Sequence, residues 1–415
     1  MFGRVVRLAV SFLFLPIVVG CAQPSASTTP KPDPRCASYP MANAAALEDT
    51  IAFQGSADVQ GPDKYPVFRI PSLVTTADGV LVAFAEARQS LSDPGAGQIA
   101  VVMKRSLDCG RTWSAVRVLA DNGTGDAHNP TAVVVPGTDR ESRLWLFYSK
   151  RPKSAGGEFD IATGTGADSD TIWTRWSDDD GETWSAPREL TAAVKDPKWG
   201  IAAMGPGRAI VTRWGRGAPS AGRIVVPAWY TQDGQAGSFV FLSDDNGATW
   251  TRGGLPEPGT DESQVVELTD GALLLDARQG QATSDGKRRL FRSEDRGQTW
   301  STGTPGIAMV PAMSSVIRYS ATRDGDDRDR LLHSGLSTKG RSDARVWISH
   351  DEAQSWVDES ILAPGFAQYT VLTKLDDGSI GMAYESLGAD TAGISGFNIH
   401  FARFNLAQLH EDAEK

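Results

Sequence analysis

Cysteine, histidine, excess positive charge and long apolar runs are all scarce in these 415 residues. Three cysteines, Cys21, Cys36 and Cys109, do not make a disulfide framework. The five histidines, at positions 128, 333, 350, 400 and 410, show no metal-ligand spacing, so no metal site is expected. A formal net charge of −10 argues against a nucleic-acid partner held through phosphate contacts. Any anionic ligand must therefore be held locally. The apolar stretch LAVSFLFLPIVVG has 13 residues, short of the roughly 20 that span a bilayer. It excludes a transmembrane helix there.

What that stretch does fit is an export signal, because Arg4 and Arg7 precede it. Its end, VVGC, resembles the lipobox of bacterial lipoproteins, which implies a signal peptide over residues 1–20 and lipidation of Cys21. Cleavage near QPSAS would instead give a freely secreted protein. Either reading places the protein outside the cytosol, the first with a lipid anchor as its only membrane contact, and loss of the two arginines takes the charge to about −12. The following AQPSASTTPKPDPR is rich in Pro, Ser and Thr and cannot bury a core. Residues 21–44 are expected to be a tether and 45–410 a single folded domain. Whether Cys36 and Cys109 pair stays open.

The strongest positive feature is a repeat: SLDCGRTW from Ser106, SDDDGETW from Ser177, SDDNGATW from Ser243, SEDRGQTW from Ser293 and a worn SHDEAQSW from Ser349. Each reads as a hairpin turn in which Asp accepts backbone N–H groups, Gly permits a positive φ and Trp packs beneath. The copies start 71, 66, 50 and 56 residues apart, a spacing that suits four-stranded propeller blades with insertions. The folded length predicts an all-β propeller of about six blades.

A second repeat consists of the hairpins SLVTTADGVLVAFAEAR, SQVVELTDGALLLDAR and YTVLTKLDDGSIGMAYE, each with a central Asp-Gly turn. Unusual polar residues mark their open ends. Glu262 and Arg278 are 16 residues apart across one turn, Tyr369 and Glu385 16 across another, and Arg69 stands at nearly the same offset from Glu86. Antiparallel pairing brings each pair together and gathers them at one rim of the central channel.

With FRIP, the Asp boxes, DESQVVEL, GPGRAIV, GRIVVPAWY and YTVLTKLDDGSIGMAYE in place, the chain resembles the bacterial exo-α-sialidases of the Asp-box (BNR-repeat) superfamily from about Tyr65 to Leu406. The resemblance implies a six-bladed propeller that removes terminal sialic acid from glycans or glycolipids as a monomer, with no cofactor. It makes Arg69, Arg278 and Arg341 the binders of the substrate carboxylate, with Arg345 the rival for the third position. Planar guanidiniums suit that task because they grip a carboxylate in a fork that Lys lacks. Glu385 would hold Arg69 and offset repulsion among the three cations. The resemblance further makes Tyr369 the nucleophile, Glu262 its base and Asp93, in SLSDPGAGQ, the acid/base, for a retaining reaction through a glycosyl-tyrosine intermediate.

Three other readings stay open: a trans-sialidase, a hydrolase of a related nonulosonic acid such as deaminated sialic acid, and a non-catalytic glycan-binding propeller. The pattern departs from many family members at Gln368, where they carry a small residue. Trp199 and the segment from Tyr230 are expected to line the region receiving the rest of the glycan, and DAHNP around His128 is expected to be a loop.

Overall fold

Alternation of apolar residues with short Gly- and Asp-containing turns gives strands throughout, with only brief helices at Arg35–Ser38, Thr191–Val194, Thr322–Asp324 and Leu406–Glu411 among the described residues. The computed structural model describes residues 1, 3, 35–55, 65–90, 97–137, 142–153, 161–215, 222–280, 284–389 and 395–411. The folded unit spans Pro34–Lys415. Cys21, nearly all of the stretch assigned to the signal peptide and most of the tether lie outside the described residues, as does Asp93.

The strands form antiparallel sheets in a propeller-like arrangement. One sheet runs Thr260–Glu267, Leu273–Gln279, Lys287–Ser293, Thr304–Ala308; the next runs Ser315–Ser320, Arg330–Gly335, Ser342–Ser349, Val357–Phe366. Another is built around Ile224–Gln232 and Gln235–Ser243. A nine-stranded sheet contains two antiparallel runs, from Val67–Thr75 and from Asp126–Pro136, joined through a parallel pairing of Ile99 with Asp126. The last sheet places the early strand Leu47–Phe53 beside Ser395–Phe404, with Leu47 opposite Phe404, so both ends of the folded chain share one sheet. The leading strands neighbour one another in a circuit: Val67–Thr75 meets Asp126–Pro136 and Thr370–Lys374, and Thr260–Glu267 meets Ser315–Ser320, which meets Thr370–Lys374.

All five Asp boxes form as their sequences require. In the first, Asp108 accepts from the Ser106 hydroxyl at 2.8 Å, the Thr112 amide at 2.9 Å and the Thr112 hydroxyl at 2.6 Å. Gly110, with φ 88°, carries the turn over Phe401, whose ring lies 1.9 Å from where a Cβ would stand. Any side chain would collide there. The box tryptophans bind neighbouring runs of strands: Trp113 meets Phe401 edge-on at 5.4 Å and Trp250 meets Phe147 at 5.1 Å, each across two sheets, and Trp184 meets Phe84 at 5.9 Å across the two runs of the nine-stranded sheet. Such ring pairs add about 0.5–1.5 kcal/mol each beyond burial. Cys36 and Cys109 form a disulfide, settling the pairing that the sequence left open.

Trp199 is not a glycan platform. It is 1% exposed and stacked on Tyr230 at 4.1 Å inside an apolar cluster, because its flat ring fills the space beside Phe239. DAHNP is not a loop: it opens the strand Asp126–Pro136, with His128 buried.

Candidate active site

Three shifts of strand register aim the side chains of the site. In FRIP, the pairing passes from Arg69 opposite Glu86 to Ser72 opposite Phe84, so the strand holds one extra residue. Ile70 absorbs it at φ 56°, a left-handed conformation that strains a β-branched residue by about 1–3 kcal/mol. Glu385 compensates. One carboxylate oxygen accepts the Ile70 amide at 2.6 Å and the other accepts Arg69 Nε and Nη2 at 3.2 and 3.1 Å. The same device recurs next door, where Asn129 before Pro130 has φ 53° and its amide donates to Glu86 at 2.7 Å. A third register shift, between Thr260 and Ser263, turns Glu262 toward Arg278.

Arg278 donates through Nη1 to Glu262 and, at 3.0 Å, to the Tyr369 hydroxyl. That hydroxyl in turn donates to Glu262, whose two oxygens lie 2.6 and 2.7 Å away. The guanidiniums of Arg69 and Arg341 lie over the Tyr369 ring, 5.5 and 5.7 Å from its centroid. The structure thus brings Arg69, Arg278, Arg341, Glu262, Tyr369 and Glu385 together. Arg345 is elsewhere, paired with Glu359 and Asp343.

Burial pushes the Tyr369 phenol well above its ordinary value, and the Glu262 charge adds to this against the three nearby arginines. The neutral phenol is thereby favoured over the phenolate. Arg278 is held charged: burial opposes its charge, but the carboxylates of Glu262 and Asp261 outweigh it.

The cleft beside Tyr369 extends to Arg88, Asp126, His128, Arg151 and Trp229, none of them assigned to the site from the sequence. Burial raises Asp126 to about 6, partly countered by Arg151, and lowers His128 to about 4, with Arg151 adding to the effect. A signal for Arg88 was present, since it closes AFAEAR as Arg278 closes LLLDAR. Asp261 also belongs here, 3.4 Å from Arg278 Nε and raised to about 6 by burial against the pull of Arg278. The one compact cluster of acidic and sulfur ligands among the described residues, Cys36, Asp376 and Asp377, has its sulfur tied in the disulfide.

Residues 79–382 match the BNR repeat-like domain. The chain is 32% identical to a sialidase of Micromonospora viridifaciens, over 97% of this chain and 60% of that protein. It is 29% identical to a sialidase of Bacteroides fragilis, over 88% of this chain and 69% of the relative. The structure of a Hadza microbial sialidase, Hz136, superposes with a TM-score of 0.70 at 26% identity, covering 82% of this chain and 66% of the other. The chain spans less than two thirds of the Micromonospora protein's length. The match across most of the folded unit, together with the five Asp boxes, places this chain in the BNR repeat-like family.

Proposed function

We propose that the protein is an exo-α-sialidase, a hydrolase of terminal α-linked sialic acids, built on a six-bladed propeller and working with retention through Tyr369. The blade count is supported by the circuit of leading strands and by the two runs within the nine-stranded sheet. The observation that carries the activity is Tyr369 hydrogen-bonded to Glu262 amid Arg69, Arg278 and Arg341.

The substrate carboxylate sits among the three guanidiniums, which places the adjoining anomeric carbon near the Tyr369 oxygen. A carboxylate nucleophile would be repelled by the substrate's own charge, whereas a phenol is not. Sialidases are known exceptions to the two-carboxylate scheme in using a tyrosine, and that general assignment is adopted for Tyr369. Its oxygen attacks the anomeric carbon as its proton passes to Glu262, the glycosidic C–O bond breaks, and the leaving alcohol takes a proton from Asp93. Water then attacks the glycosyl-tyrosine, giving its proton to Asp93. The tyrosine oxygen leaves and recovers its proton from Glu262. Arg278 stabilises the phenolate character that develops at Tyr369. The Cys36–Cys109 bridge supports an exported protein.

The test is fluorophore release from an α-linked N-acetylneuraminic acid glycoside, with the deaminated analogue in parallel and products separated to distinguish hydrolysis from transfer. Wild type should release free acid, and Tyr369→Phe should be slower by at least about 1,000-fold. No release from either glycoside by folded wild type would overturn the reading.

A further inference from the structure

Gln368 Oε1 accepts hydrogen bonds from Arg69 Nη2 at 2.8 Å and from Arg341 Nη1 at 2.7 Å. One neutral oxygen therefore bridges two of the three guanidiniums that would hold a substrate carboxylate. The residue is buried, and its backbone amide donates to the Glu385 carbonyl, fixing the chain immediately before Tyr369. Arg69 has the Glu385 carboxylate as a counter-charge. Arg341 does not: among the described residues its hydrogen-bond partners are the Gln368 amide oxygen and, at 3.3 Å, the Pro311 carbonyl.

An amide oxygen offers the lone pairs of one carboxylate oxygen without the charge. It satisfies the donors while leaving the excess positive charge in place. We infer that Gln368 is a specificity-determining residue whose amide oxygen takes the carboxylate seat between Arg69 and Arg341 and must give way to a ligand's carboxylate. This rests on the carboxylate-binding role proposed above for Arg69 and Arg341. The consequence is a threshold. Small carboxylates gain too little to displace the two bridging bonds, whereas a sugar acid that also makes contacts along the cleft toward Arg88 and Asp126 does gain enough.

The experiment is a calorimetric titration of sodium acetate and of free N-acetylneuraminic acid, at constant ionic strength, into wild type, Gln368→Ala and Gln368→Glu, with KM for the sialoside measured beside it. Gln368→Ala should bind acetate about tenfold more tightly than wild type, and the further change Arg341→Ala should abolish that gain. Gln368→Glu, which fixes an anion in the seat, should raise KM by at least about 100-fold. Acetate affinity of a folded Gln368→Ala protein within twofold of wild type, or weaker, would overturn the inference and leave Gln368 as a scaffold for the arginines. Tighter acetate binding without turnover of any sialoside would keep the inference and sink the proposed activity. Turnover with unchanged acetate affinity would do the reverse.

Discussion

The Tyr369 hydroxyl lies 2.6 and 2.7 Å from the two carboxylate oxygens of Glu262, although 107 residues separate them in the chain. The phenol is already aligned with an acceptor for the proton it must lose. A free phenol, with an ordinary value of about 10, is ionised to roughly one part in a thousand at neutral pH, and burial lowers that fraction further. Glu262→Gln keeps the shape and removes the base. It should cut kcat by about 100- to 10,000-fold with little change in inhibitor affinity. A loss under tenfold would deny Glu262 the role of base.

Arg341 and Arg345 are close in sequence but differ in surroundings. Arg341 reaches Gln368 and lies over Tyr369, whereas Arg345 pairs with Glu359. Arg341→Ala should raise KM about 10- to 100-fold, and Arg345→Ala should leave it within about threefold. Steady-state kinetics on one sialoside checks both, and the opposite order would move the third arginine to Arg345.

Glu385 is fully buried and satisfies the strained Ile70 amide as well as Arg69. Glu385→Ala leaves a buried guanidinium without its counter-charge and a buried N–H without an acceptor, so it should destabilise the fold by about 3–5 kcal/mol. Glu385→Gln retains an acceptor and should cost less. Urea unfolding of the pair tests the order; equal losses would show that the acceptor retained by Gln contributes nothing and that the charge carries the whole effect.

What the sequence disclosed depended on how local each feature is. The Asp boxes were legible because Asp108, Ser106 and Thr112 bond within a few residues. The pairs Glu262–Arg278 and Tyr369–Glu385 were legible because a hairpin fixes their offset. The Arg69–Glu385 pair was expected from the family resemblance alone, because a single extra residue after Arg69 breaks the alternation and turns its side chain to a partner 316 positions away. A matching shift after His128 made a strand read as a loop. Asp126 and Trp229 meet in the cleft only because separate sheets converge there, and nothing in their flanking residues signals it. Trp199 failed as a prediction because an aromatic beside a proposed sugar site looks the same whether it faces the cleft or the core.

The five box aspartates, Asp108, Asp179, Asp245, Asp295 and Asp351, predict how the fold fails in acid. In each, burial works to raise the pKa, but hydrogen bonds from the following Thr or Ser and the leading Ser outweigh it and hold it below the ordinary value. A carboxylate depressed in the folded state contributes stability that is present above its unfolded value, about 3.9, and is lost as pH falls through the lower folded value. Stability should therefore decline below about pH 4 as all five release their turns. These groups are largely exposed, so each contributes modestly and the shared direction is the signal. Asp108→Ala, which removes three hydrogen bonds, should cost about 1–2 kcal/mol at pH 7 and leave kcat unchanged. It should also flatten the acid limb, because one depressed group is gone. Urea midpoints between pH 7 and pH 3 for wild type and Asp108→Ala would decide. A mutant that loses as much stability between those pH values as wild type would assign the acid sensitivity to groups outside the boxes.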